Sequence, residues 1–130
     1  MLMTDPLPRI CDFAAARALF AQMAEAWTET AGFAYLAGDG RLLGMRHVHS
    51  VCADAIDVPV RQIVADALAF DAAGMVMAHN HPSGDPRPSR ADRATTRRLL
   101  HALEPVDVRL VDHLILARGG AVSFRALGWL

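Results

Sequence analysis

Gly74-Met75-Val76-Met77-Ala78-His79-Asn80-His81-Pro82-Ser83-Gly84-Asp85-Pro86-Arg87-Pro88-Ser89-Arg90-Ala91-Asp92 decides how this chain is built. Its first five residues are apolar and bounded by a glycine and by a proline-rich loop, which is the pattern of a short buried strand. Side chains alternate faces along a strand. His79 and His81 therefore project to one side at the strand's end, and Asn80 points to the other. Pro82, Pro86 and Pro88 then forbid a continuing helix or central strand, and Ser89 opens a helix.

That helix contributes a carboxylate. At about 100° per residue, Asp92, Thr96, Leu99 and Leu103 fall on one face, while Arg90, Arg93 and Arg97 fall on the opposite one. An inward carboxylate is costly unless something pairs with it, and two imidazoles at the mouth of the adjacent strand point to a metal as that partner. Zinc accepts His nitrogen and Asp oxygen, and catalytic zinc sites keep three protein ligands with one position open. His79, His81 and Asp92 make three. Two plainer readings stand beside this one. Ser89-Arg90-Ala91-Asp92 has the form of a capping box with Asp in the N3 place, and a His-x-His pair can be two satisfied surface imidazoles.

The pattern His79, His81, Ser89, Asp92, with seven residues between His81 and Ser89, resembles the JAMM (MPN+) metalloprotease signature. The fuller spelling His-Asn-His-Pro-Ser-Gly-Asp-Pro-x-Pro-Ser-x-x-Asp is similar to the bacterial RadC branch. The likeness continues downstream through Asp112-His113-Leu114-Ile115-Leu116 and Ser123-Phe124-Arg125, and upstream from Arg61 to Ala78. It covers roughly residues 29 to 130. The resemblance implies a glutamate ahead of the first strand, followed by a glycine and an apolar run. Glu29-Thr30-Ala31-Gly32-Phe33-Ala34-Tyr35-Leu36 fits that pattern; the other two glutamates, Glu25 and Glu104, lie in predicted helices. Glu29 can also be an ordinary solvated residue at a helix C-terminus.

The resemblance implies Zn2+ as cofactor and amide hydrolysis as the reaction. His79, His81 and Asp92 would be the ligands. Glu29 would be general base and acid, and Ser89 would donate its hydroxyl to the oxyanion. N-capping is the competing role for Ser89. The substrate would be a peptide or isopeptide. Eukaryotic members of the family cleave ubiquitin-type conjugates, but this chain is too compact for their substrate-gripping insertions. The alternative is a RadC-like metal-binding or DNA-repair-associated interaction module without turnover. A nucleic-acid enzyme is the third class, using Arg87, Arg90, Arg93, Arg97 and Arg98 on phosphates; the same cluster serves equally as a solvated helix face. Full-length RadC relatives carry a helix-hairpin-helix module ahead of this domain, and none fits into the first 28 residues here, so nucleic acid is not favoured as a partner. Zinc deamination is disfavoured, because the His-x-Glu and Pro-Cys-x-x-Cys elements of that chemistry are missing.

Composition sets wider bounds. With 130 residues, 53% of them hydrophobic, the chain can bury one core, and its net charge of −1 demands neither nucleic acid nor a membrane surface. Cys11 and Cys52 lack a C-x-x-C spacing and read as free thiols of a reducing compartment. No secretory leader or membrane span is visible, and the cytoplasm is the expected location.

In chain order, residues 1–11 read as a lead-in and 12–130 as the domain. Asp12 caps a helix carrying Phe13, Ala16, Phe20, Met23 and Trp27 at core spacing. Strands over 32–37 and 41–49 flank Gly38-Asp39-Gly40, a hairpin turn. A loop runs from Ser50 to Pro59. A helix over 60–71 turns Ile63, Val64, Ala67 and Leu68 inward and Arg61, Gln62 and Asp66 outward. The histidine strand and the third helix follow, and Glu104-Pro105 stops that helix. Strands over 107–117 and 121–125 close the chain. This order predicts an α/β fold, a mixed sheet flanked by helices, and the resemblance would make it the cytidine-deaminase-like JAMM fold. A second His-x-His, His47-Val48-His49, has only Asp54 and Asp57 as acidic company and is expected to be a pair of exposed strand histidines.

Overall fold

The structure, a computed structural model, describes residues 8–49 and 57–130. A short helix α1 (Phe13–Leu19) and a 3-10 helix (Ala21–Glu25) lead into the hairpin β1 (Thr30–Leu36) and β2 (Leu42–His49). Then come α2 (Val60–Ala69), β3 (Gly74–Asn80), α3 (Arg90–Leu103), β4 (Arg109–Ala117) and β5 (Gly120–Ser123). The strands form one sheet in the order β2-β1-β3-β4-β5. Among the described residues only β3 and β4 run parallel, joined across α3; β1 is antiparallel to both β2 and β3, and β5 to β4. The α/β mixed sheet flanked by helices agrees with the expected class.

Two apolar layers follow from strand alternation. Phe33 and Tyr35 of β1 and Met75 and Met77 of β3 face Ile63 and Ala67 of α2 and Leu99 and Leu103 of α3. Ala34 and Leu36 of β1 and Val76 and Ala78 of β3 face Ile10, Ala16, Phe20 and Met23. Both central strands are buried along their whole length, which explains why they read as continuous apolar runs. Alternation extended to the end of β3 puts His79 on the α3 side and Asn80 on the α1 side.

Two expectations need correction. The first helix does not run through to Trp27: α1 ends at Leu19, and the chain restarts as a 3-10 turn at Ala21. The break lets Phe20 and Met23 both turn onto Gly32, where an added Cβ would come within 2.6 Å of the Phe20 ring and 3.4 Å of the Met23 sulfur. Trp27 is thereby left 82% exposed, with the Arg118 guanidinium stacked 4.1 Å from its ring centre. Phe13 is also exposed.

In α2, Ile63 and Ala67 are buried as expected, but Leu68 is 57% exposed. Asp66, expected outward, faces the sheet. It accepts a 2.9 Å hydrogen bond from the Tyr35 hydroxyl and is gripped by the Nε and Nη2 of Arg46. At ~100° per residue, Asp66 stands closer to the Ile63–Ala67 stripe than Leu68 does.

The end of the lead-in docks on the hairpin. Ile10 is buried, its N–H donates to the Gly40 carbonyl at 2.8 Å, and Leu42 N–H donates to the Pro8 carbonyl at 2.9 Å. Cys11 is an exposed free thiol. The expectations for Cys52, for Asp54 and for most of the loop after Ser50 lie outside the described residues.

Candidate metal site

The candidate side chains gather where the start of β1 meets the end of β3. Antiparallel pairing sets Ala31 opposite His79, so the residues just before β1 lie beside those just after β3. His79 is nearly fully buried, and His81 half-buried. Past the strand, His81 N–H still donates to the Leu116 carbonyl at 2.9 Å, which keeps the backbone on β4. The loop is pinned again by the Gly119 N–H, donating to the Gly84 carbonyl at 3.0 Å. A Cβ at Gly119 would sit 2.4 Å from that oxygen, so only glycine allows the approach.

α3 begins with the expected capping box. Ser89 Oγ accepts from Asp92 N–H at 3.0 Å, and Asp92 Oδ2 accepts from Ser89 N–H at 2.7 Å. Accepting uses a lone pair of the serine oxygen and leaves its proton available to donate. The same Asp92 carboxylate turns to the histidines: Oδ1 lies 2.9 Å from His79 Nε2 and Oδ2 lies 3.1 Å from His81 Nε2. The two Nε2 atoms stand 3.0 Å apart. Glu29 closes the group, with a carboxylate oxygen and the two imidazoles offering ligand atoms within 4.8 Å of one another. Glu29, His79 and His81 thus form a candidate metal-binding group, and Asp92 lies against both of its histidines.

The protons show what this cluster lacks. His81 Nδ1 lies 2.9 Å from the Asp85 carbonyl, which can only accept, so that nitrogen carries the hydrogen. Nε2 of a neutral His81 is then a lone pair aimed at a carboxylate oxygen and a second imidazole nitrogen. Such an arrangement requires a cation, either a proton or a metal ion. Accordingly the hydrogen bond to Asp92 holds the His81 pKa above its ordinary value. For Asp92, burial pulls the carboxyl upward, but hydrogen bonds from His79 and His81 outweigh it and the net shift is well downward. Two nitrogens and a carboxylate converging this way suit a borderline ion such as zinc.

Behind His79 lies His113 on β4, fully buried and kept neutral because burial pushes its pKa far down. It stacks on Phe124, ring centres 4.5 Å apart. Asp112 fixes its backbone by accepting His113 N–H at 2.7 Å, and the Asp112 carboxylate also takes Ser123 Oγ and Arg125 N–H. Sequence reasoning placed His113 in a strand without giving it a task. It also overlooked Asn80, which is fully buried. The Asn80 carboxamide accepts Thr30 N–H at 2.7 Å and donates to the carbonyls of Thr28 at 3.0 Å and Ala26 at 3.3 Å, clamping both sides of Glu29.

The other candidates do not converge. His47 and His49 are exposed on the edge strand β2, and among the described residues neither belongs to a metal-binding group. Arg90, Arg97 and Arg98 are exposed, and Arg93 stacks on Trp129 at 4.0 Å from the ring centre. No helix among the described residues is long and apolar enough to cross a membrane.

Comparison with known proteins matches residues 11–129 to the RadC-like JAB domain. The chain belongs to this family. It is 46% identical over 90 residues to a UPF0758 protein of Xanthomonas euvesicatoria pv. vesicatoria, covering 69% of this chain and 40% of that protein. It is 43% identical over 96 residues to a UPF0758 protein of Vibrio cholerae serotype O1, covering 74% of this chain and 60% of the relative. The chain therefore spans less than two thirds of the length of these RadC-like relatives.

Proposed function

We propose that this RadC-like domain is a zinc-dependent metallopeptidase that hydrolyses a peptide or isopeptide amide bond. The observation that carries the reading is the meeting of Glu29 with the His79–His81–Asp92 cluster: a carboxylate sits within 4.8 Å of ligand nitrogens that themselves call for a cation. His79, His81 and Asp92 would hold the ion. Zinc bound there supplies Lewis acidity that makes water nucleophilic near neutral pH.

The chain's own residues do the rest. Glu29 takes a proton from the water that attacks the amide carbon and delivers it to the leaving nitrogen as the C–N bond breaks, general base and then general acid at one position. Ser89 keeps a hydroxyl proton that its capping role does not use, and this proton is donated to the carbonyl oxygen as it gains charge. The family's JAB domain includes metalloproteases, which supports the reading, whereas the relatives' names specify no reaction.

The test has two arms. Purified wild type should contain one zinc per chain and Asp92→Ala much less. On a peptide library containing lysine-branched isopeptides, wild type should cleave and zinc-loaded Glu29→Gln should lose about 10²–10⁴-fold in rate. Equal zinc in wild type and Asp92→Ala would sink the site. Zinc retained with no cleavage by wild type would leave a metal-binding interaction module.

A further inference from the structure

Two buried polar side chains, His113 and Thr96, stand in a row behind His79, and the protons along the row can be assigned by elimination. Thr96, on the face of α3 that also bears Asp92, donates its hydroxyl to the Asp92 backbone carbonyl at 2.8 Å. A hydroxyl has one proton, so the contact of 2.5 Å between Thr96 Oγ1 and His113 Nδ1 must be bridged by a hydrogen on the imidazole. His113 is fully buried and its two nitrogens meet a hydroxyl and an imidazole rather than a carboxylate, so the ring is neutral and hydrogen on Nδ1 leaves Nε2 a lone pair. His79 Nδ1 lies 2.7 Å from that lone pair and must donate to it. His79 Nε2 is then the bare nitrogen, and it is the atom that faces His81 and Asp92.

Resting on the metal-site reading above, we infer that Thr96 and His113 are positioning residues that set the tautomer of His79, presenting its Nε2 lone pair to a metal ion. Reversing the two bonds of His113, to Thr96 and to His79, would put hydrogen on His79 Nε2, aimed at Asp92, and would close the coordination position. Both members of the relay are held in place: Thr96 by the backbone carbonyl of Asp92, and His113 by Phe124 and Asp112. A ligating histidine usually gives its second N–H to a carbonyl, carboxylate or water. His81 follows that habit with the Asp85 carbonyl. His79 has a neutral imidazole in that place, which accepts only while its own far nitrogen holds the proton.

Zinc affinity measured by chelator competition on the purified chain, with thermal melting as a fold control, tests the relay. His113→Phe keeps the ring but leaves His79 Nδ1–H buried without an acceptor, and zinc affinity should fall about 10–100-fold. His113→Gln can accept from His79 through its carbonyl and donate to Thr96 through its amide, and affinity should return to within a few-fold of wild type. Should His113→Phe fail to fold, Thr96→Val against Thr96→Ser reads the same relay, with loss expected for Val and retention for Ser. Imidazole nitrogen NMR of the zinc-loaded wild type should show hydrogen on His79 Nδ1 and none on Nε2. Unchanged affinity in folded His113→Phe and Thr96→Val, or hydrogen on His79 Nε2 in the zinc form, would overturn the relay while leaving the metal site standing. Wild type that binds no zinc would overturn the site itself, and the relay with it.

Discussion

The carboxamide oxygen of Asn80 accepts the backbone N–H of Thr30 at 2.7 Å, and through that bond the last residue of β3 determines where Glu29 stands. The amide nitrogen of the same side chain holds the carbonyls of Thr28 and Ala26. Glu29 is thus clamped through its neighbours on each side.

Asn80→Ala should separate stability and catalysis from metal binding. It leaves the buried Thr30 N–H without its side-chain partner, and a group of this kind costs about 1–3 kcal/mol when left unsatisfied, whereas the Thr28 and Ala26 carbonyls are within reach of water. The melting temperature should drop by several degrees. Zinc affinity should stay within a few-fold of wild type, because His79, His81 and Asp92 do not depend on this clamp, while amide hydrolysis should fall toward the Glu29→Gln level. Loss of zinc in parallel with activity would contradict this division.

Asp92 both caps α3 and faces the histidines, and two substitutions divide these roles. Asp92→Asn keeps an oxygen for Ser89 N–H but removes the charge; Asp92→Ala removes both. Each should lose zinc in a metal-content assay. In the metal-free state Asp92→Ala should be less stable than Asp92→Asn by about 1 kcal/mol in urea unfolding, the size of a lost helix-capping feature. Identical metal-free stabilities would show that the capping bond contributes little.

Gly32→Ala should be destabilising by about 1–3 kcal/mol, the usual cost of overpacking. The new methyl group would meet the Phe20 ring at 2.6 Å, and Phe20 is nearly fully buried with nowhere to retreat. Pairing it with Phe20→Leu should recover part of the loss. If chemical denaturation finds Gly32→Ala as stable as wild type, the closeness of this contact is wrong.

The chain has a single tyrosine, so its phenolate absorbance reports on one site. Burial and the hydrogen bond to Asp66 push the Tyr35 pKa far up. In the folded protein the tyrosine should therefore not titrate near its ordinary value of about 10. The folded state then holds a proton that the unfolded chain releases, and stability falls as pH rises above ~10 toward the folded value. Asp66 works in the opposite sense. The Arg46 hydrogen bond lowers its pKa, so its contribution is present above the ordinary carboxylate value and is lost as pH falls through the folded one. Ordinary titration of the tyrosine in native protein would refute the buried Tyr35–Asp66–Arg46 arrangement.

What could be read from the sequence is what short-range geometry dictates. His79 and His81 share a face because a strand alternates, and Asp92 joins Thr96, Leu99 and Leu103 because a helix turns by a fixed angle; both rules act within a few residues. Glu29 came only from likeness to a family, since nothing near it in the chain points to the histidines. The tasks of Asn80, Thr96 and His113 are not legible there, because they depend on which strands pair and in which register. Trp27 and Leu68 were misplaced for a related reason. An apolar stripe drawn on an ideal helix cannot see the break at Phe20, nor the pull of Tyr35 and Arg46 on Asp66.

The antiparallel pairing of β1 with β3 divides the site into a local half and a remote half. His81 and Asp92 are 11 residues apart and share a single strand-loop-helix passage, whereas Thr30 and Asn80, whose bond brings in Glu29, are separated by 50. Contacts between distant parts of a chain carry the larger loop-closure cost during folding. A chain whose β1 has not yet zipped onto β3 can have the passage from His79 to Asp92 formed and still lack Glu29 beside it, so under the proposed function competence for chemistry arrives with the sheet and leaves with it.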